Sequence, residues 1–307
     1  MEKNCPQYSV LMCVYAREHA AHFREALMSM ANQTQPTDDL VLMCDGPLTK
    51  ELDQVIDEMQ DYIGKSLHVY RQSVNRGAGV ARRLALEKCQ HDLVAIADSD
   101  DISKPDRCAK ELAVFKAHPE LTMVGSFVEE FDEDPTQINA VRQVPETTAE
   151  ILQFARRRNP INQPSVMVRK SAVESAGGYQ DYYLLEDYYL WVRMLQKGMK
   201  AYNIQESLVF MRAGSAMYKR RGGSKYAQSQ RQLFKYMYDT KFISFQDYIY
   251  SCVVRTLSGL IPDSMRRGLF MRFNRSDVAI KQVRHRLRDQ VEDFILDALN
   301  VIIMTLS

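Results

Sequence analysis

No apolar run in this 307-residue sequence approaches the roughly 18 to 20 residues that a membrane-spanning helix requires. Charge of one sign is missing as well: forty Lys and Arg against thirty-nine Asp and Glu leave a formal net charge of +1. Without a global positive field the surface as a whole cannot hold nucleic acid, so no nucleic-acid partner is expected and any electrostatic docking is local. Cysteine is sparse and unorganised. Cys5, Cys13, Cys44, Cys89, Cys108 and Cys252 form no C-x-x-C pair and have no histidine at zinc-ligand spacing, which argues against a zinc site and a disulfide framework. Dispersed thiols fit a reducing cytoplasm, and Cys13 and Cys44, set within apolar runs, read as small core residues. The N-terminal apolar stretch of about seven residues is short for the core of an export signal, and none is expected. Internal repeats and low-complexity tracts are also lacking.

What is there is ordinary globular material, 46% hydrophobic and 26% charged, enough for one sizeable domain and an appendage. Apolar, β-branched runs at Ser9 to Tyr15, Leu40 to Asp45, Leu67 to Arg71 and Leu93 to Asp98 read as strands. Between them, Glu18 to Asn32, Thr49 to Met59 and Gly77 to Lys88 repeat apolar residues every three or four positions and read as helices. Strand and helix in alternation predict an α/β fold with a parallel sheet and right-handed crossovers. Ligands of such sheets sit beyond the carboxyl ends of the strands, where Asp45 and Asp98 fall. From Met123 the rhythm changes. Met123 to Phe131, Ala140 to Val144 and Pro164 to Val168 predict an antiparallel or mixed extension, followed by a helix over Leu185 to Lys197 and a last strand at Leu208 to Arg212. The first domain is expected to span residues 1–214, and 215–307 to form a helical C-terminal extension, broken at Pro262.

The run LVAIADSDD, Leu93 to Asp101, ends an apolar strand in a cluster of carboxylates. Such groups repel one another and raise each other's pKa unless a divalent cation or solvent relieves them. Alternation along a strand puts Asp98 and Asp100 on one side and Ser99 on the other. Two readings stand: a metal site at Asp98 and Asp100, or a cap by Asp100 or Asp101 for a helix entered at Ser103 and Pro105.

Taken in order, SVLMCVYARE, VLMCDG, NRGAGVARRLAL, ADSDDISKPDR, NPINQPSVMVRK, GGY and LEDYYLWVRML make the sequence resemble the family 2 glycosyltransferases of GT-A fold, a Rossmann-like nucleotide-diphospho-sugar transferase domain, over roughly residues 8 to 212. Among these it is similar to bacterial capsule, exopolysaccharide and O-antigen transferases. The resemblance implies an inverting hexosyltransferase that uses Mn2+ or Mg2+, a nucleotide-diphosphate sugar such as a UDP-sugar, and a lipid-linked saccharide acceptor. It implies nucleotide-sugar contacts at Tyr15, Asp45, Asn75, Gly77, Arg82 and Asp98, with Asp45 accepting from the uracil imide. Metal ligation falls to Asp98 and Asp100. Asp187 is the implied general base, and Asn162, Gln163, Glu186 and Trp191 are implied around the acceptor or donor sugar. On the residues alone, Asp45-Gly46 also reads as a turn, Asn162 to Pro164 as a strand entry, and Glu186-Asp187 as an acidic first helical turn. One departure stands out: Gln163 occupies the place of a common histidine, so a role that needs an imidazolium there is lost while a positioning role survives.

Cations follow the last strand. Arg212, Lys219, Arg220 and Arg221 precede Gly222 and Gly223, a segment suited either to folding over a diphosphate or to linking two domains. Farther on, Arg266, Arg267, Arg272, Arg275, Lys281, Arg284, Arg286 and Arg288 alternate with apolar residues at helical spacing. Such a segment suits an anionic membrane surface, consistent with a peripheral place on the inner face of the cell membrane. The same apolar stripe also suits packing on its own domain or in a homo-oligomer.

Overall fold

The computed structural model describes residues 6–213 and 224–260. Its first half alternates as the periodicity predicts: β1 (Tyr8–Val14), α1 (Ala20–Ala31), β2 (Asp39–Cys44), α2 (Lys50–Ile63), β3 (Leu67–Arg71), α3 (Ala78–Lys88) and β4 (Leu93–Asp98). These strands lie in the order β3-β2-β1-β4, all parallel, with Cys13 beside Asp98 in register. Because both faces of the sheet are covered, every residue of β2 is buried, which explains a continuous apolar run instead of strict alternation. Each Val, Leu or Ile so buried contributes about 1.5 to 3 kcal/mol.

The second half turns the sheet antiparallel and then parallel again. It comprises β5 (Ile102–Ser103), α4 (Arg107–Ala117), β6 (Leu121–Phe131), β7 (Ala140–Arg142), α5 (Thr148–Phe154), β8 (Met167–Arg169), α6 (Lys170–Ser175), α7 (Glu186–Gln196) and β9 (Lys200–Arg212). The sheet continues β4-β8-β6-β9-β5, with β7 on β6. Residues 163–165, expected at the start of a strand, form a 3-10 turn, because Pro164 lacks the N–H that a ladder needs. The carboxylate loop caps no helix: β5 follows it, and α4 begins after Asp106. The last strand starts at Lys200, earlier than expected, since its polar first half pairs with β6. Among the described residues no helix is long and apolar enough to cross a membrane, and Cys13, Cys44, Cys89, Cys108 and Cys252 are free.

Two further helices, α8 (Ser224–Asp239) and α9 (Phe245–Leu260), belong to the expected extension. Leu233, Phe234 and Met237 of α8 share a buried cluster with Leu185, Tyr188 and Val192 around α7. The opposite side of α7, Leu190, Trp191, Met194 and Leu195, enters the core beneath the sheet. Helix α7 is therefore fixed on two faces.

A charged pair lies deep behind β4. The guanidinium of Arg107 donates to Glu111 Oε1 at 3.2 Å, to Ser103 Oγ at 3.1 Å and to the Ile96 carbonyl at 2.8 Å, with Arg107 and Glu111 fully buried. Burial pushes the Glu111 carboxyl up to about 7, against the opposing charge of Arg107. The folded protein thus holds a proton that the unfolded chain releases above about 4.5. Stability is expected to be fully present below that value and to fall as pH rises toward 7, by on the order of 3 kcal/mol. Glu111→Gln should flatten this part of the urea-unfolding profile between pH 4.5 and 7.5; an unchanged slope would contradict the assignment.

Candidate active site

Asp45 follows β2, and Gly46 turns the chain there with φ +90°. A Cβ on Gly46 would meet the Asn75 backbone nitrogen at 2.7 Å, so only glycine allows the next segment so close. That segment delivers the backbone N–H groups of Arg76 and Gly77 to the Asp45 carboxylate at 2.7 and 2.9 Å, while Asn75 Nδ2 donates to the Asp45 carbonyl at 3.1 Å. Asp45, Asn75 and Gly77 are thereby brought together at the entry to α3. Tyr15, partly buried, follows directly on β1, its carbonyl accepting from the Glu18 N–H.

Helix α3 approaches the segment before α7 closely: a Cβ on Gly79 would stand 2.2 Å from the Gln180 carbonyl oxygen. One turn on, Arg82 spans the gap. Its Nη2 donates to Asp98 at 2.7 Å and its Nη1 to Glu186, joining the end of β4 to the start of α7. Burial opposes the charge on Arg82, but the carboxylates of Asp98 and Glu186 outweigh it and hold the guanidinium pKa well above its ordinary value. The Glu186 carboxyl moves up, chiefly through burial, with the Arg82 charge opposing and that of Asp187 adding to the rise. Arg82 was among the residues implied to contact the nucleotide sugar. Its guanidinium is engaged by two carboxylates, one of them Glu186, 8% exposed.

Asp187 remains partly exposed in the acidic first turn of α7. Its Oδ2 accepts from Asn159 Nδ2 at 2.7 Å and its Oδ1 from the Tyr188 N–H at 2.7 Å. The arrangement holds a carboxylate at a set place with oxygen lone pairs to spare, as a proton acceptor requires.

Strand alternation stops at Asp98, so the carboxylates that follow are placed by contacts rather than by pleat. Ser99 turns away and donates to Glu18 at 2.8 Å. Asp101 is buried and accepts the Arg212 N–H at 2.8 Å. Burial first, then the charges of Asp100 and Asp98, raise its pKa well above the ordinary carboxylate range. Arg212 clasps the whole loop. Its guanidinium donates to the Asp100 carbonyl at 3.3 Å and to Glu25 at 2.9 Å, and lies over the Phe131 ring at 4.6 Å. Arg212 ends β9 and fastens the carboxylate loop, while the cationic segment that follows it begins outside the described residues. Arg220 and Arg221 lie outside the described residues, as does the basic segment from Arg266 to Arg288.

Residues 9–177 match the family described as Glycosyl transferase family 2, more than half of the chain. The chain belongs to this family. It is 35% identical over 270 residues, 88% of the chain and 97% of the relative, to the UDP-Gal:alpha-D-GlcNAc-diphosphoundecaprenol beta-1,3-galactosyltransferase of Escherichia coli. It is 34% identical over 263 residues to the amylovoran biosynthesis glycosyltransferase AmsE of Erwinia amylovora, covering 86% of the chain and 97% of that protein. Among solved structures, S. aureus TarS 1-349 in complex with UDP-GlcNAc superimposes with a TM-score of 0.61 at 16% identity, over 86% of this chain and 75% of that one. The mannosyltransferase PcManGT from Pyrobaculum calidifontis, in complex with GDP-Man and Mn2+, gives 0.60 at 15%, over 97% and 87%. The fold is GT-A-like.

In this family 2 glycosyltransferase, three residues implied around the sugar lie buried, and each keeps one buried polar atom without a hydrogen-bond partner: Asn162 Oδ1, Gln163 Oε1 and Trp191 Nε1. Asn162, 1% exposed, donates to the Ser126 and Arg142 carbonyls and binds the 3-10 turn to β6 and β7. Gln163 donates to the Tyr179 hydroxyl at 3.1 Å and is 7% exposed. Trp191 is fully buried, edge-on to Tyr179 at 6.3 Å, and packs in the core beneath the sheet. Sequence reasoning missed Asn159, although it opens the quoted NPINQP block; an Asn before Pro signals a turn, not a partner 28 residues away.

Proposed function

We propose that this glycosyltransferase inverts configuration at the anomeric carbon, moving a hexose from a UDP-sugar onto a hydroxyl of a lipid-linked saccharide in surface polysaccharide biosynthesis. The observation that carries the proposal is the Asp98–Arg82–Glu186 chain, which ties the carboxylate-bearing end of β4 to the first turn of α7, where Asp187 follows Glu186. The diphosphoundecaprenol acceptor and UDP-Gal donor named for the E. coli relative support this choice of substrates. Asp187 accepts the proton of the acceptor hydroxyl while that oxygen attacks the anomeric carbon, and the nucleotide diphosphate leaves from the opposite face. Asn159 orients the base through the 2.7 Å contact, and Arg82 with Glu186 fixes the turn that bears it.

The donor set fits a hard divalent cation. Asp98 and Asp100 offer oxygen ligands from one loop, and one or two carboxylates suffice when phosphate oxygens and water complete the shell. Mn2+ or Mg2+ held there would supply stabilisation of charge on the departing diphosphate. Asp45, Asn75 and Gly77 line the nucleotide end, with Tyr15 adjacent. The work is expected at the membrane that bears the acceptor.

Calorimetric titration with UDP tests the donor half. Binding is expected to tighten at least tenfold with Mn2+ or Mg2+, since the phosphates and the Asp98 and Asp100 carboxylates otherwise repel. Asp100→Ala should remove most of that gain, whereas equal affinity in excess chelator would refute metal-assisted binding. Transfer from UDP-galactose to GlcNAc-diphosphoundecyl tests the acceptor half.

A further inference from the structure

The segment leading into α7 presents Tyr183 and Leu184, 38% and 36% exposed, immediately before Leu185, Glu186 and Asp187. Leu184 has φ +56°, a left-handed conformation that side chains with a Cβ disfavour. A strained, apolar tip persists when its surroundings hold it there, and such strain collects at functional sites. Two contacts do the holding. Ser229 Oγ of α8 donates to the Tyr183 carbonyl at 2.8 Å, and on the other side the Gln180 carbonyl is pressed against Gly79 of α3. Helix α8 also brings a cation: Lys225 Nζ stands 4.1 Å from the centroid of the Tyr183 ring. A tyrosine face steadies an ammonium without neutralising it, and a compact ammonium is suited to phosphate oxygens.

We infer that Lys225, Tyr183 and Leu184 form a docking site for the acceptor, Lys225 taking the diphosphate of a diphospholipid-linked saccharide while Tyr183 and Leu184 take the apolar groups beside it. The inference rests on the lipid-linked acceptor reading above and adds the residues that recognise it. It gives α8 a direct part in substrate selection: the helix both braces the tip through Ser229 and supplies the charge. The tip runs within three residues into the turn that bears Asp187, so an acceptor anchored there is held on the segment beside the proposed base, which helps to orient its hydroxyl.

Two acceptors separate the contributions: GlcNAc-α-diphosphoundecyl, and undecyl α-GlcNAc, which lacks the diphosphate. Wild-type enzyme is expected to show a lower KM for the first. Lys225→Gln should raise that KM about ten- to a hundredfold with kcat and the UDP-sugar KM little changed, and should leave the KM for undecyl α-GlcNAc as it was. Lys225→Arg should restore most of the preference. Leu184→Gly keeps the left-handed backbone accessible and should raise KM for both acceptors, with UDP binding intact as the sign of a folded site. Retention of the full diphosphate preference by Lys225→Gln would overturn the inference while leaving the functional reading standing. Transfer to neither acceptor by the wild-type enzyme would overturn both.

Discussion

Asp187→Asn is expected to lower sugar transfer by something on the order of 10² to 10⁴ while UDP and metal binding persist. The substitution keeps the shape of the side chain. Its amide oxygen can still accept from Asn159, but the second oxygen becomes an NH2 group that cannot accept from the Tyr188 N–H. One hydrogen bond is lost, at a cost of about 1 kcal/mol in stability, together with the ability to take a proton. Steady-state turnover, donor titration and the anomeric configuration of the product by NMR form the decisive set. A product with retained configuration, or transfer close to wild type in Asp187→Asn, would refute the mechanism.

Arg82→Met should be the most damaging single change to the scaffold. Arg82 is 12% exposed at its side chain, Asp98 27% and Glu186 10%, so the variant leaves two poorly solvated carboxylates facing each other without their shared cation. Removing one partner of a buried pair costs about 3 to 5 kcal/mol; partial access of solvent to Asp98 brings the expected loss to roughly 3. Urea unfolding at pH 7 measures it. Adding Glu186→Gln to Arg82→Met should recover part of the loss, because one of the stranded charges is gone; a double variant that loses the sum of the two single effects would show that the three groups are not coupled. Activity should fall with stability in the single variant, as the turn bearing Asp187 loses its tether.

The parallel half of the fold was legible because it is buried on both faces: Val10 to Val14 and Leu93 to Ala97 have little choice but to be central strands. Lys200 to Ser207 was not, since several of its polar residues find their partners far away in sequence. Asn203, fully buried, donates to the Pro145 and Pro160 carbonyls, and no local pattern announces that. Short α5 and α6 escaped for want of a full period of apolar residues, although Thr147 and Glu150 form a capping box that marks the start of α5. At the site, carboxylates at strand ends and helix starts stood out through their types. Their partners did not. Arg82 read as a ligand contact because sequence shows a cation beside a glycine-rich turn, not the two carboxylates 16 and 104 residues away that engage it. Asn162 and Trp191 were implied near substrate by resemblance, and both are buried, a fact their residue types alone did not announce.

Helix α7, buried on one side against the sheet core and on the other against α8, keeps Asp187 partly exposed in its first turn, the carboxylate proposed as the base. A carboxylate mounted on such a rod cannot be re-aimed by small sequence changes, because any rotation disturbs two packed interfaces at once. On the proposed acceptor site, discrimination between acceptors in this chain therefore falls to the tip that precedes the rod and to the first turn of the helix that braces it. The reaction stays put while the choice of molecule to be lengthened is free to drift.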